Sequence, residues 1–167
     1  MFASANMSAE SHQISGENTA VPSSTISIRE TFKGKTVLVT GTSGFLGKVW
    51  LAMVLDALPE VGKLIVLLRK KGLRPVSHRF EKMVGESPVF KPLHEKHGRD
   101  LARFIAERVE VVDGDIGRPN FGMTDEIAAR VAEETDLIVN CAGLVDFDPD
   151  VRDAIETNID GALHAVE

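Results

Sequence analysis

Apolar and polar residues follow one another along this chain in short blocks. Four blocks are largely apolar runs that end at glycine or polar residues, and they lie at 36–40, 64–68, 109–112 and 136–139. Runs that are apolar at nearly every position are typical of parallel strands covered on both faces. Longer segments with helical spacing separate them, so the pattern predicts an α/β fold with a doubly wound parallel sheet.

The helical segments carry apolar stripes of their own. Residues 75–108 predict two helical pieces that separate around residues 85–88. After the fourth strand, Asp148 as N-cap and Pro149 as first residue predict a further helix. The stripe behind the first strand predicts a helix that ends at Pro59 and buries Leu46, Val49, Trp50, Met53, Val54, Ala57 and Leu58. The predicted buried face of the last helix comprises Val151, Ala154, Ile155, Asn158, Ile159 and Ala162, and its one polar member needs partners.

A glycine-rich turn joins the first strand to its helix, and its sequence is Gly41-Thr42-Ser43-Gly44-Phe45-Leu46-Gly47. Gly41 permits a tight turn, Gly44 lets the backbone approach phosphates, and Gly47 lets helix and strand pack closely. The N–H groups at the helix start then point at an anion. A glycine triplet alone also fits an ordinary turn. Strand, turn and helix together predict a Rossmann-type dinucleotide site formed by these seven residues.

The second strand ends at Arg69-Lys70-Lys71, where dinucleotide-binding folds often place an acid on the adenosine ribose. Arg69 follows Gly47 by 22 residues. A guanidinium matches a 2′-phosphate in charge and in fork geometry, so Arg69 predicts NADP(H) as the cofactor. The alternative is a solvated basic cap on a strand end, and for Lys70 and Lys71 both interpretations stay open.

Two resemblances narrow the prediction. The spacing of the glycines, at i, i+3 and i+6, resembles the extended branch of the short-chain dehydrogenase/reductase superfamily. Over residues 32–167 the chain also resembles the N-terminal reductase domain of the fatty acyl-CoA reductases, although Asp146 departs from the pattern expected there. The segments that carry this second resemblance, in chain order, are Arg79-Phe80-Glu81-Lys82, Ser87-Pro88-Val89-Phe90, Gly114-Asp115-Ile116, Asn120-Phe121-Gly122-Met123, Val145-Asp146-Phe147-Asp148 and Asn158-Ile159-Asp160-Gly161.

The resemblance implies an NADPH-dependent oxidoreductase that reduces fatty acyl-CoA, or another acyl thioester, to an aldehyde or alcohol. It implies that Asp115 holds the adenine amino group and that Ile116 packs on the adenine ring. Ala142 and Gly143 would line the ribose and pyrophosphate side of the cofactor. Asn158 would shape the proton-relay side of the catalytic site, and its alternative role is to tie a helix to a strand.

The family's proton donor is the tyrosine of a Tyr-x-x-x-Lys pair, and this chain contains no tyrosine. We therefore expect residues 32–167 to be the N-terminal part of an NADP-binding domain, with four strands and no activity alone. In the doubly wound order 3-2-1-4, the apolar fourth strand would be an exposed edge. We expect the remainder of the same domain to pack against it.

Composition excludes some classes of function. A net charge of −6 argues against non-specific nucleic-acid binding. A single cysteine excludes an intramolecular disulfide, and no run approaches the roughly 18 apolar residues of a membrane span. Residues 1–31 predict a disordered polar tail and no targeting leader, so we expect a cytoplasmic protein.

Other side chains invite different chemistry. His94 and His97 lack a third ligand of suitable spacing, so we expect solvated histidines and no metal site. Cys141 fits a small buried residue better than a thiol nucleophile. For Asp113, a turn that bonds its own backbone is the preferred interpretation. Two functional alternatives stay open: another extended reductase or epimerase, and a noncatalytic dinucleotide-binding module.

Overall fold

Four parallel strands form the centre of residues 27–167, the residues that the computed structural model describes. The strands are β1 (Thr36–Thr40), β2 (Lys63–Leu68), β3 (Val109–Asp113) and β4 (Leu137–Asn140). They lie in the order β3-β2-β1-β4, and Leu38 of β1 stands opposite both Ile65 and Ile138. This order is that of the first four strands of a doubly wound sheet, 3-2-1-4, so the expected fold class is confirmed.

Helices cover both faces of this sheet. Alternate strand residues such as Val37, Val39 and Val66 belong to one core, which α2 and the insert between β2 and β3 cover. Leu38 and Ile65 point the other way, into a second core that α6 completes. The helices are α1 (Ile28–Phe32), α2 (Phe45–Ala57), α3 (Val76–Glu86), α4 (Lys91–His97), α5 (Leu101–Ala106), α6 (Asp125–Glu134), α7 (Val151–Ile155) and α8 (Gly161–His164).

The buried face of α2 differs from the predicted stripe. Leu46 and Met53 are 65% and 63% exposed, and Ala57 is also exposed, whereas Val54 alone of the predicted set is fully buried. Trp50, Leu58 and Val49 are half-buried. The residues of α2 that are buried are Gly47, Leu51, Ala52, Val54 and Leu55. The prediction was wrong because α2 is apolar around most of its circumference, so spacing alone does not define its inner face.

The insert between β2 and β3 contains three helices, where the sequence predicted two pieces. The predicted break lies at Ser87, after which a short 3₁₀ turn covers Pro88–Phe90. A second break follows at Gly98, whose φ of +52° ends α4. Phe90 and Leu93 are almost fully buried in the core under α2, so this insert forms part of the covering layer.

Two predicted boundaries also moved. Residues 28–32 of the expected tail form α1, with Ser27 as N-cap, and residues 1–26 lie outside the described part of the chain. The helix after β4 begins at Val151, because the Asp150 carboxylate accepts hydrogen bonds from the N–H groups of Arg152 and Asp153. Asp148 and Pro149 therefore precede the cap. A π-helical turn, Glu156–Asp160, links α7 to α8.

Candidate dinucleotide site

The glycine turn between β1 and α2 has the geometry of an anion-binding loop. Gly41 has a φ of +69°, and a Cβ there would overlap the backbone of Cys141 and Ala142. A Cβ on Gly47 would lie 2.7 Å from the carbonyl carbon of Gly41, so only glycine allows this approach of helix and turn. Gly44 is the N-cap of α2, and no side chain caps the first N–H groups. These donors are therefore available to a phosphate.

A groove runs along the carboxyl ends of the strands, where ligands of open α/β sheets bind. The glycine turn, the ends of β2, β3 and β4, and Thr157 beyond α7 form its walls. It contains eight of the thirteen residues that the sequence assigned to the site, namely Gly41, Ser43, Gly44, Arg69, Asp115, Ile116, Ala142 and Gly143.

The other five predicted site residues lie outside this groove. Thr42 is fully buried, and its hydroxyl has no hydrogen-bond partner among the described residues. Phe45 and Leu46 expose 77% and 65% of their surface on α2, and Gly47 is buried beneath the turn. Of these residues, Gly47 shapes the groove from below.

Asn158 is the fifth predicted site residue outside the groove, and its side chain forms hydrogen bonds with the backbone that follows β4. Its Oδ1 accepts from the Leu144 N–H at 2.7 Å, and its Nδ2 donates to the Leu144 carbonyl at 3.0 Å. The residue lies on an exposed side of the π-helical turn, and its predicted apolar neighbours Val151 and Ile159 are 72% and 55% exposed. The expectation of a buried face was therefore wrong. The contacts of Asn158 agree with its alternative role, in which it links this helical segment to the chain that follows β4.

The adenine end of the groove carries opposite charges. The Arg69 guanidinium lies 3.4 Å from the Asp115 carboxylate, and the Arg69 side chain remains 66% exposed. The other Asp115 oxygen accepts from the Gly117 N–H at 3.2 Å, which forms the local turn predicted for Asp113. Asp113 instead accepts from the Lys70 N–H at 2.9 Å, so it joins the ends of two strands.

Two further cations, Arg79 and Lys71, line the groove beside Arg69. The half-buried Arg79 donates a hydrogen bond to the carbonyl of Arg69. Arg79 also borders an adjoining cleft with Ser43, Lys48 and Lys82. The sequence analysis did not assign Arg79 to the site. The available signal was its position ten residues after Arg69, in the first turn of α3, which begins soon after β2 ends.

Cys141 and the histidines supply no alternative chemistry. Burial raises the pKa of the Cys141 thiol, which disfavours the nucleophilic thiolate. His94 is exposed, as predicted, and bonds the Val84 carbonyl. His97 is half-buried and stacks on Phe104 at 3.9 Å between ring centroids, so it is not the solvated residue predicted. Within residues 27–167 no group of three or more metal-ligating side chains forms.

Comparison with known proteins identifies the family. Residues 39–167 match the family described as "Male sterility protein", whose model is one of NAD-binding domains. The chain belongs to this family. A putative fatty acyl-CoA reductase of Drosophila melanogaster is 30% identical over 156 residues, which cover 93% of this chain and 26% of that protein. A fatty acyl-CoA reductase of Arabidopsis thaliana is 33% identical, with coverage of 80% and 27%.

A solved structure supports the same placement. The reductase domain of a non-ribosomal peptide synthetase from Mycobacterium tuberculosis aligns with a TM-score of 0.60 and 31% identity. The alignment covers 79% of this chain and 29% of that one. The two fatty acyl-CoA reductases named above are much longer than this chain, which spans about a quarter of the length of each. None of the helices in residues 27–167 combines the length and the apolar character needed to cross a membrane.

Proposed function

We propose that this chain is the NADPH-binding part of a reductase that acts on fatty acyl thioesters. The observation that carries the proposal is the single groove in which the glycine turn, the basic end of β2 and the turn after β3 meet. Membership of an NAD-binding family supports a nicotinamide dinucleotide as cofactor. The fatty acyl-CoA reductases among its relatives support an acyl thioester as substrate.

The charges around Arg69 support NADPH over NADH. Arg69, Lys71 and Arg79 face the end of the groove where an acid would bind ribose hydroxyls, and Asp115 is the one carboxylate among the residues that line it. An exposed guanidinium can leave Asp115 for a dianionic phosphate, which is the stronger acceptor. The bond from Arg79 to the Arg69 carbonyl fixes the strand end from which this guanidinium projects.

Each half of the groove would hold one part of the cofactor. The uncapped N–H groups of α2 and the backbone of Gly44 would hold the pyrophosphate, and Asp115 and Ile116 would hold the adenine. Ala142 and Gly143 would border the ribose of the reacting half. When bound, NADPH supplies the hydride. Asn158 would hold the chain at Leu144 in place beside that half.

The reaction consumes one acyl thioester, one NADPH and one proton, and it releases a free thiol, NADP⁺ and an aldehyde. A second hydride transfer would give the alcohol. In the first step the proton goes to the leaving thiolate, and in the second it goes to the alkoxide oxygen. No tyrosine occurs in this sequence, so the tyrosine that the family resemblance implies as proton donor is not among these 167 residues.

The test is acyl-CoA reduction by the full-length protein. We expect NADPH oxidation that depends on a long-chain acyl-CoA, with stoichiometric release of free CoA and an aldehyde or alcohol detected by mass spectrometry. The 167-residue chain alone should bind NADPH and give no turnover. NADPH oxidation by the full-length protein that does not respond to acyl-CoA would contradict the proposed substrate.

A further inference from the structure

The turn that follows β3 contacts the segment after β4 at three points. A Cβ on Gly117 would lie 3.2 Å from the Glu156 carbonyl oxygen, so the two backbones are in close contact. A Cβ on Gly161 would lie 3.1 Å from the Ile116 side chain. His164 Nδ1 lies 3.0 Å from the Ile116 carbonyl oxygen. One helical segment thus supports this turn from behind the groove.

Of these three contacts, the one made by His164 is a hydrogen bond, and the other two are close packing. A carbonyl oxygen only accepts, so Nδ1 of His164 carries the proton and donates it. The ring is half-buried, and Ile116 is 7% exposed and lines the groove. The residue next to Ile116 is Asp115, which pairs with Arg69. The hydrogen bond therefore acts on the backbone that presents both proposed adenine contacts.

We propose that His164 is a positioning residue of the dinucleotide site. It holds the Ile116 carbonyl, and through it the turn of residues 114–117, in the arrangement that receives an adenine ring. This inference rests on the proposed dinucleotide binding and adds to it a residue that touches no part of the cofactor. Because His164 acts through the turn of residues 114–117, which would contact the adenine ring common to both nucleotides, we expect it to affect NADPH and NADH binding equally.

The test compares three substitutions of His164 in the full-length protein. His164→Ala removes the donor, and we expect NADPH and NADH to bind about three- to tenfold more weakly with their affinity ratio unchanged. In asparagine the amide nitrogen is attached to Cγ, as Nδ1 is, so His164→Asn should restore most of the affinity. In glutamine the nitrogen lies one bond further out, so His164→Gln should not restore it.

This ranking separates a directed hydrogen bond from a role in filling space, because glutamine is closer to histidine in size than asparagine is. His94 provides a matched control, since its Nε2 bonds the Val84 carbonyl at 2.9 Å in the insert, outside the groove. We expect His94→Ala to affect thermal stability and to leave both dissociation constants within twofold of the unsubstituted protein.

Each outcome decides the proposal. Unchanged binding in His164→Ala, better rescue by glutamine than by asparagine, or an equal loss in His94→Ala would overturn it. If His164→Ala does not fold, the asparagine and glutamine variants still give the ranking. Failure of the unsubstituted protein to bind either nucleotide would overturn the proposed cofactor function, and the role of His164 with it.

Discussion

Gly47 determines how α2 lies on the sheet. A Cβ at this position would lie 2.7 Å from the Gly41 carbonyl carbon and 2.8 Å from the Thr42 Cα, and both of these atoms are backbone. The side of the helix that carries Gly47 therefore faces the glycine turn that follows β1. Leu51, Val54 and Leu55 follow at i+4, i+7 and i+8, and each is at most 5% exposed.

Substitution of Gly47 tests this close approach. We expect Gly47→Ala to lower the free energy of unfolding by about 2–3 kcal/mol, because the backbone of the turn has to move to admit a methyl group. Urea denaturation measures the loss, and nucleotide binding should weaken with it. Gly85→Ala is the matched control, since Gly85 lies within α3 and, apart from the adjacent residues and the helix's own backbone, no atom lies within 4 Å of its Cβ position.

At Gly85 an alanine improves helix propensity, so that variant should be neutral or more stable by up to about 1 kcal/mol. Equal losses at the two glycines would contradict the role assigned to Gly47.

Single residues of the site were predictable where they follow a strand directly. Arg69, Asp115 and Ala142 come just after apolar runs, and parallel strands bring their carboxyl ends to one edge. Arg79 was not predictable in this way, because its place in the groove depends on the path of α3 back to β2. The turn predicted for Asp113 is formed by Asp115, because each carboxylate can accept a backbone N–H and only the packed sheet places Lys70 beside Asp113.

At the scale of elements, strands were predicted better than helix faces. A buried strand is recognised by continuous apolar sequence, and all four lie within one residue of their predicted limits. In α2 the apolar residues surround most of the helix, so periodicity pointed to the wrong side. The close approach at Gly47 was a signal in the sequence that could have corrected the assignment.

A charged cluster joins α6 to the sheet. Arg130 donates to both oxygens of Glu110 at 2.5 and 3.2 Å, and Lys63 contacts Glu110 at 2.5 Å and Glu134 at 2.9 Å. The hydrogen bond from Arg130, assisted by that from Lys63, holds the pKa of Glu110 below its ordinary value. Each carboxylate therefore faces two cations between the helix and strands β2 and β3.

This cluster predicts a pH dependence of stability. Because the pKa of Glu110 is lowered in the folded state, its contribution is complete above the unfolded-state pKa of about 4.3 and is lost as the pH falls below that value. We expect Glu110→Gln to lower the free energy of unfolding by about 1 kcal/mol at pH 7. The difference from the unsubstituted protein should shrink as the pH falls through 4 to about 3.

Urea denaturation at a series of pH values measures this difference. Glu133→Gln is the control, since Glu133 lies on α6, beside Glu134 of the cluster, and forms no ion pair with any residue in the range 27–167. A constant difference across the pH range would show that Glu110 contributes through packing and not through its charge.

At the scale of the whole molecule, the strand order was predictable because doubly wound sheets follow few topologies. The exposed apolar edge at β4 was also predicted, but the sequence did not show that α2 leaves large apolar side chains uncovered. We define the outer α2 face as Phe45, Leu46 and Met53, which are 77%, 65% and 63% exposed. Ile138 on the edge strand β4 is 43% exposed. Surface of this kind commonly marks an interface or an aggregation site.

We expect further chain to cover the outer α2 face, because exposed apolar surface commonly marks an interface and this chain spans about a quarter of its relatives' length. We expect the 167-residue protein to aggregate at lower concentration than a protein extended to the relatives' length. Met53→Lys should make the shorter protein more soluble and the extended one less stable, because only in the latter would the charge be buried. Light scattering and thermal denaturation measure the two effects.

Leu73→Lys serves as the control, since Leu73 is 99% exposed in the loop between β2 and α3 and is not part of that face. It should leave the stability of both lengths unchanged. A Met53→Lys variant that leaves the extended protein fully stable would show that the outer α2 face remains open to solvent.

The central claim is that Arg69 selects NADPH in this groove, and the most direct measurement is a fluorescence titration of NADPH and NADH with the full-length protein. We expect the unsubstituted protein to prefer NADPH. Arg69→Glu should abolish that preference, with a loss of about ten- to a hundredfold in NADPH affinity and little change for NADH. Lys70→Glu reverses the charge of the neighbouring side chain. Because Lys70 does not line the groove, this variant should keep the preference for NADPH. Equal loss of both nucleotides in Arg69→Glu would contradict the account, because Arg69 would then support the fold and not the 2′-phosphate.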